Sequence, residues 1–167
     1  MKRVARSAIV PHSAAQLFAL VEDIESYPRF LPWCVGAEVK SRGPDSTLAR
    51  LTIGMRGVNQ SFTTQNRNRA PEAIDMQLVE GPFRRFAAGW RFQPLGEQAC
   101  KVEFSMEFEF ASRTLAALLA PLPLLIVEEL LGLAAAWWVW TRFGLADADR
   151  RRDLWRAGRL AIEAGEA

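Results

Sequence analysis

The chain is short of the side chains on which most enzyme chemistry runs. Among its 167 residues there is one histidine, His12, and there are two cysteines, Cys34 and Cys100. His12 has no cysteine or carboxylate cluster at ligand spacing, which argues against a metal centre or a histidine-based triad. The cysteines lie far apart and outside any CxxC pattern. That disfavours a structural zinc site or a disulfide framework, and suits a reducing cytosol. Excess charge of one sign is missing too. The 21 basic residues face 19 acidic ones, a net charge of +2, too balanced for the phosphate-neutralising surface of a general nucleic-acid binder. DNA is not an expected partner. No glycine-rich phosphate loop appears. Glu22, Asp23 and Glu25 fall at a helix end without a second reacting group, so they read as solvated carboxylates rather than an acid–base pair. The start MKRVARSAIVPHS is broken at Arg6 and Ser7 and stopped at Pro11, short of the roughly 7–15-residue apolar core of a signal peptide. The apolar stretch from Leu115 to Trp140 contains Pro121, Pro123, Glu128 and Glu129. Each central carboxylate would cost about 2.5 kcal/mol or more to insert in a bilayer. A buried or membrane-touching helix is expected there instead, in a cytoplasmic protein.

What is present is apolar patterning. Half of the residues are hydrophobic, enough for one domain to bury roughly 70% of the surface its unfolded chain exposes. RVARSAIVP reads as a short strand ending at Pro11, where the ladder must stop. Ser13 stands three residues ahead of Gln16, a capping-box pattern, and Leu17, Leu20, Val21 and Ile24 then share one helix face. Next comes the elbow of VEDIESYPRFLPWC. Tyr27, Phe30 and Trp33 recur at three-residue spacing while Pro28 and Pro32 fix their own φ and bend the chain. An elbow of that kind makes a lid or a cavity wall, or else closes the core over the sheet.

From Ala37 to Phe110, short strand-like runs alternate with turn signals at Gly43–Pro44, Pro71, Gly81–Pro82 and Gly96, the pattern of an antiparallel meander. The last run is the clearest. Val102, Phe104, Met106, Phe108 and Phe110 alternate with Glu103, Ser105, Glu107 and Glu109, so one sheet face is wet and the other needs a cover. The helical period after Phe110 supplies one, with a break expected near Pro123. A charged amphipathic piece from about Asp147 to Ala164 reads as a surface helix. The expected layout is a main domain over 1–146 and a charged helical tail over 147–167.

The stretches VPHSAAQLFALVEDIESYPRFLPWC, MQLVEGPFRRFAAGWRFQPL and CKVEFSMEFEF, taken in this order, resemble the coenzyme Q-binding and ribosome-association-toxin family of the START-like, polyketide-cyclase-like superfamily. The resemblance covers about residues 3–142. It implies an α+β helix-grip fold, in which a bent antiparallel sheet wraps around a long C-terminal helix with an apolar cavity between them. The chain departs from the family pattern at its end. Glu128, Glu129 and Arg142 remain, but LPLL looks inserted, and Trp137, Trp138, Trp140 and a charged tail replace the terminal signature.

Two roles follow from the resemblance. One is a non-catalytic binding protein for an apolar ligand, a prenylated quinone such as ubiquinone, in support of respiration. Its ligand-lining candidates, chosen by parity and apolarity, are Phe30, Trp33, Trp90, Phe104, Met106, Phe108 and Leu131. Burying a prenyl tail at about 25 cal/mol per Å² supplies micromolar affinity even after the costs of association. No resident cofactor is implied beyond that ligand. In this reading the tryptophan cluster, with Arg142 and Arg150 to Arg152, adds a peripheral membrane contact, the alternative being that these indoles pack inside. The other role is a toxin of a toxin–antitoxin pair that binds the large ribosomal subunit and blocks subunit joining. Its phosphate contacts would be Arg67, Arg69, Arg84 and Arg85. A cyclase or hydrolase working in the cavity rests on superfamily analogy alone.

Overall fold

The computed structural model describes residues 1–118 apart from Phe30 and Arg56. The expected helix beyond Leu118, its break near Pro123, the boundary at 146 and the tail over 147–167 lie outside the described residues. Strand β1 (Lys2–Val10) leads into α1 (Ala14–Glu22) and a 3-10 helix (Ile24–Arg29). Six strands follow: β2 (Cys34–Arg42), β3 (Ser46–Met55), β4 (Val58–Arg69), β5 (Ala73–Glu80), β6 (Phe83–Gly96) and β7 (Ala99–Phe110). Helix α2 (Arg113–Leu118) begins where the period-two pattern stops.

All seven strands form one antiparallel sheet in the order β1-β7-β6-β5-β4-β3-β2. The meander expected from the turn signals is therefore complete, and β1 closes it by pairing along β7, from Lys2 opposite Phe108 to Val10 opposite Cys100. β1 and β2 are the two edges, so the segment joining them must cross the sheet. Helix α1 and the 3-10 turn make that crossing.

Helix α1 starts as its sequence dictates. The Ser13 side chain accepts from the Gln16 backbone N–H, and the Gln16 side chain accepts from the Ser13 N–H, which satisfies two of the orphan donors at a helix start. Its buried residues are Ala14, Leu17 and Phe18. Phe18 meets Phe92 edge-on at 5.9 Å. Along β7, Cys100, Val102, Phe104, Met106 and Phe108 are all buried, which is the inner face read from alternation.

The interior divides into two apolar clusters. One packs α1 on β1, β6 and β7 through Leu17, Phe18, Trp90, Phe92, Val102 and Phe104. The other packs the 3-10 elbow on β2, β3 and β4 through Ile24, Tyr27, Leu31, Trp33, Ile53 and Phe62. Each large side chain so buried contributes about 1.5–3 kcal/mol. The elbow is thus part of the core, with Tyr27 and Trp33 buried in it.

Candidate functional site

The two clusters do not close on each other completely. At their seam lies a cavity of about 70 Å³, whose wall takes Ile24, Tyr27, Trp33 and Phe62 from one cluster and Ile74, Trp90, Phe104 and Met106 from the other. The elbow is held over it by two backbone bonds and one from a side chain. Leu31 N–H donates to the Tyr27 carbonyl at 2.8 Å, Gly54 N–H donates to the Trp33 carbonyl at 2.9 Å, and the Tyr27 hydroxyl donates to the Val21 carbonyl at 2.5 Å. Burial pushes the Tyr27 phenol far above its ordinary ionisation range, so it stays a neutral donor. Trp90 and Phe104 stand opposite each other on β6 and β7 with ring centroids 4.6 Å apart.

Of the side chains expected to line a ligand site, Trp33, Trp90, Phe104 and Met106 come together on this wall. Phe30 and Leu131 lie outside the described residues. Phe108 belongs elsewhere. It is buried two positions beyond Met106 and borders a separate groove of about 460 Å³ at the end of β7, with Phe110, Arg84, Glu109 and the first turn of α2. The physical reason is the length of the strand: inward positions i and i+2 are about 7 Å apart, so the alternating run on β7 outlasts one small cavity.

One side of the wall carries polar groups, which the sequence reading did not find. Thr47, Thr64, Asn66 and Asn68 are buried and line the cavity from β3 and β4. Thr64 donates to Asn66 Oδ1 at 2.8 Å. Asn68 Nδ2 donates to Thr47 Oγ1 at 3.1 Å and to Glu22 Oε1 at 3.2 Å. Glu22 therefore corrects an expectation: it is half-buried on the cavity wall rather than fully solvated. It is also the wall's one charged side chain among the described residues. The signal was present in QSFTTQNRN, a strand of a one-faced sheet that carries no apolar residue after Phe62. Amides on both faces imply that the buried ones have partners.

The arginines expected to touch phosphate do not form one patch. Arg67 and Arg69 lie on the outer face near the β4–β5 turn. Asp75 takes Arg69 at 2.7 Å and Arg91 at 2.5 Å, and stands opposite Arg67 in register. Arg84 and Arg85 lie past the β5–β6 turn, where Arg84 meets Glu109 at 3.5 Å and Arg85 stands opposite it in register. The eight residues of β5 separate the pairs, about 25 Å at the usual rise.

His12 lies just past β1 as a buried junction residue before α1, and burial lowers its basicity against a raising contact from Gln16. No helix among the described residues is long and apolar enough to cross a membrane.

Residues 10–131 match the family model described as polyketide cyclase / dehydrase and lipid transport. The chain belongs to this family. Within the polyketide cyclase family it is 40% identical over 113 residues to the ribosome association toxin RatA of Escherichia coli, covering 68% of this chain and 72% of the relative. It is 26% identical over 111 residues to the mitochondrial coenzyme Q-binding protein of Drosophila melanogaster, covering 64% of this chain and 46% of that one. The resemblance read from the sequence motifs is thereby shown. Among solved structures, a START superfamily protein from Mycobacterium smegmatis superposes with a TM-score of 0.66 at 21% identity, covering 79% of this chain and 96% of the other. An aromatase/cyclase from Streptomyces superposes with a TM-score of 0.68 at 16% identity, covering 80% and 93%. At such identities these likenesses show the START-like fold alone.

Proposed function

We propose that this chain is a non-catalytic carrier of a prenylated quinone, held between the sheet and the elbow, in the cytoplasm with access to the membrane face. The observation that carries the reading is the convergence of Trp33, Trp90, Phe104 and Met106 on one buried cavity with a polar wall. That composition, mostly apolar with a few placed hydrogen-bonding groups, is the usual make-up of a small-molecule site. The family's lipid-transport description and the named coenzyme Q-binding relative support it. At about 70 Å³ the cavity is small, well below the roughly 300–1,000 Å³ of occupied ligand sites. Admitting a ligand of that size therefore means enlarging the cavity. The test is mass spectrometry of an organic extract of the purified protein beside a mock purification. A prenylated quinone at near-stoichiometric amount supports the carrier; an extract indistinguishable from the mock removes it.

A second reading, inhibition of ribosomal subunit joining, is favoured by the 40% identity to a protein named as a ribosome association toxin. The separated arginine pairs supply it with two small contact points rather than one patch. Overexpression followed by sucrose-gradient profiles tests it. Loss of joined subunits, with binding that falls steeply as salt rises, supports it, and unchanged profiles count against it.

A further inference from the structure

Two residues of the cavity wall each carry a buried polar atom with no hydrogen-bond partner among the described residues: Trp33 Nε1, a donor, and Asn68 Oδ1, an acceptor. Both residues are 6% exposed. Buried polar groups are nearly always paired, and each exception calls for a reason. The amide orientation of Asn68 is fixed by its surroundings. A carboxylate only accepts, so the edge facing Glu22 must be Nδ2, which leaves Oδ1 as the unmet atom.

An unpaired donor and an unpaired acceptor in residues of one wall define a ligand chemistry. A carbonyl oxygen answers Trp33 and leaves Asn68 unmet. A hydroxyl both accepts and donates, so it can answer either atom. A carboxylate ligand is disfavoured, since the wall's one charged side chain among the described residues is Glu22. We propose that Trp33 Nε1 and Asn68 Oδ1 are the head-group site of this cavity, and that it selects a neutral hydroxyl-bearing ring, the reduced quinol, over the oxidised quinone. This rests on the carrier reading above. The protein performs no electron transfer in it; the two redox forms simply bind unequally.

The test uses the purified full-length chain, held anaerobically, with a decyl-substituted benzoquinone and its quinol as probes and intrinsic tryptophan quenching as the readout. The quinol is expected to bind about tenfold more tightly. By linkage, that preference raises the midpoint potential of the bound couple by about 30 mV, the tenfold equivalent for two electrons. Asn68→Leu is expected to erase the preference by weakening the quinol alone. Trp33→Phe is expected to weaken both forms, since both offer an oxygen to the indole. Equal binding of the two forms, tighter quinone, or a preference that survives Asn68→Leu in a folded variant overturns the proposal while leaving the carrier reading standing. Binding of neither form overturns both.

Discussion

Asn68 Nδ2 donates to Glu22 Oε1 at 3.2 Å, which ties the end of β4 to the last turn of α1 across the inner face of the sheet. The bond is a polar link between the crossing segment and the meander, and it sits beside Thr47 on the cavity wall. Removing the amide leaves a half-buried carboxylate without its donor, so Asn68→Leu should cost about 1–3 kcal/mol. Asn68→Asp should be worse at pH 7, because it sets a second carboxylate against Glu22, and should recover on acidification as one of the pair is protonated. Urea unfolding at pH 7 and pH 5 reads both effects. Stability of Asn68→Asp that equals the parent at pH 7 would show that the contact is absent in solution.

Phe108 marks the boundary between packing and site. It is 2% exposed and sits edge-on to Phe83 at 6.3 Å and to Phe110 at 5.4 Å. Truncation there opens a void that neighbouring rings cannot refill, so Phe108→Ala should lose about 3–5 kcal/mol. Its effect on ligand affinity at the Trp33 end should be small. A quenching titration of the folded variant with unchanged affinity and a lowered urea midpoint is the expected pair of results. A selective loss of affinity would return Phe108 to the ligand wall.

Gly81 closes the β5–β6 turn with φ of +155°, and a Cβ added there would stand 2.6 Å from Phe62 Cβ. Both the backbone conformation and the collision oppose any other residue. Because Phe62 lines the cavity, Gly81→Ala should lower stability by about 1–3 kcal/mol and disturb ligand binding together. Thermal unfolding and a quenching titration check this; a variant with an unchanged melting temperature would contradict the turn geometry.

The meander was legible because each of its signals is local. Period-two alternation over Val102 to Phe110 placed the inner face, and glycine and proline placed the turns. Ser13 and Gln16 placed the helix start for the same reason. The cavity's apolar wall followed from parity, which put Trp90, Phe104 and Met106 on one face. Its polar wall did not follow. Asn66 and Asn68 alternate with Gln65, Arg67 and Arg69, and a strand that is polar on both faces gives parity no contrast to work with. Glu22 was misread because a carboxylate at a helix end is usually solvated, and only the sheet order shows that this end lies over β4.

The capping box gives a further check on the helix that carries the elbow. Ser13→Ala removes the acceptor for the Gln16 N–H and should cost about 1 kcal/mol. Gln16→Ala removes the reciprocal bond. Since the two side chains act as one unit, the double variant should lose less than the sum of the singles. Strict additivity in chemical denaturation would mean that the box is not formed.

The two cysteines offer the last prediction. Cys34 is 3% and Cys100 0% exposed, and burial raises the ionisation of both thiols above the ordinary thiol range. The thiolate is the reactive form, so at pH 8 neither should alkylate at the rate of a free thiol while the chain is folded. Iodoacetamide should label both only in urea, counted by intact mass. The same shift has a stability consequence. A thiol whose folded ionisation lies above its unfolded one holds its proton longer when folded, so the unfolded state loses protons first as pH rises. Stability is then fully present below about pH 8.5 and declines above it. An unfolding midpoint that falls between pH 8 and pH 10 in the parent, and falls less in a folded Cys34→Ala, Cys100→Ala double variant, is the expected result. Rapid native labelling at pH 8 would place at least one thiol in contact with solvent, and would mean that the seam under the elbow opens readily without ligand.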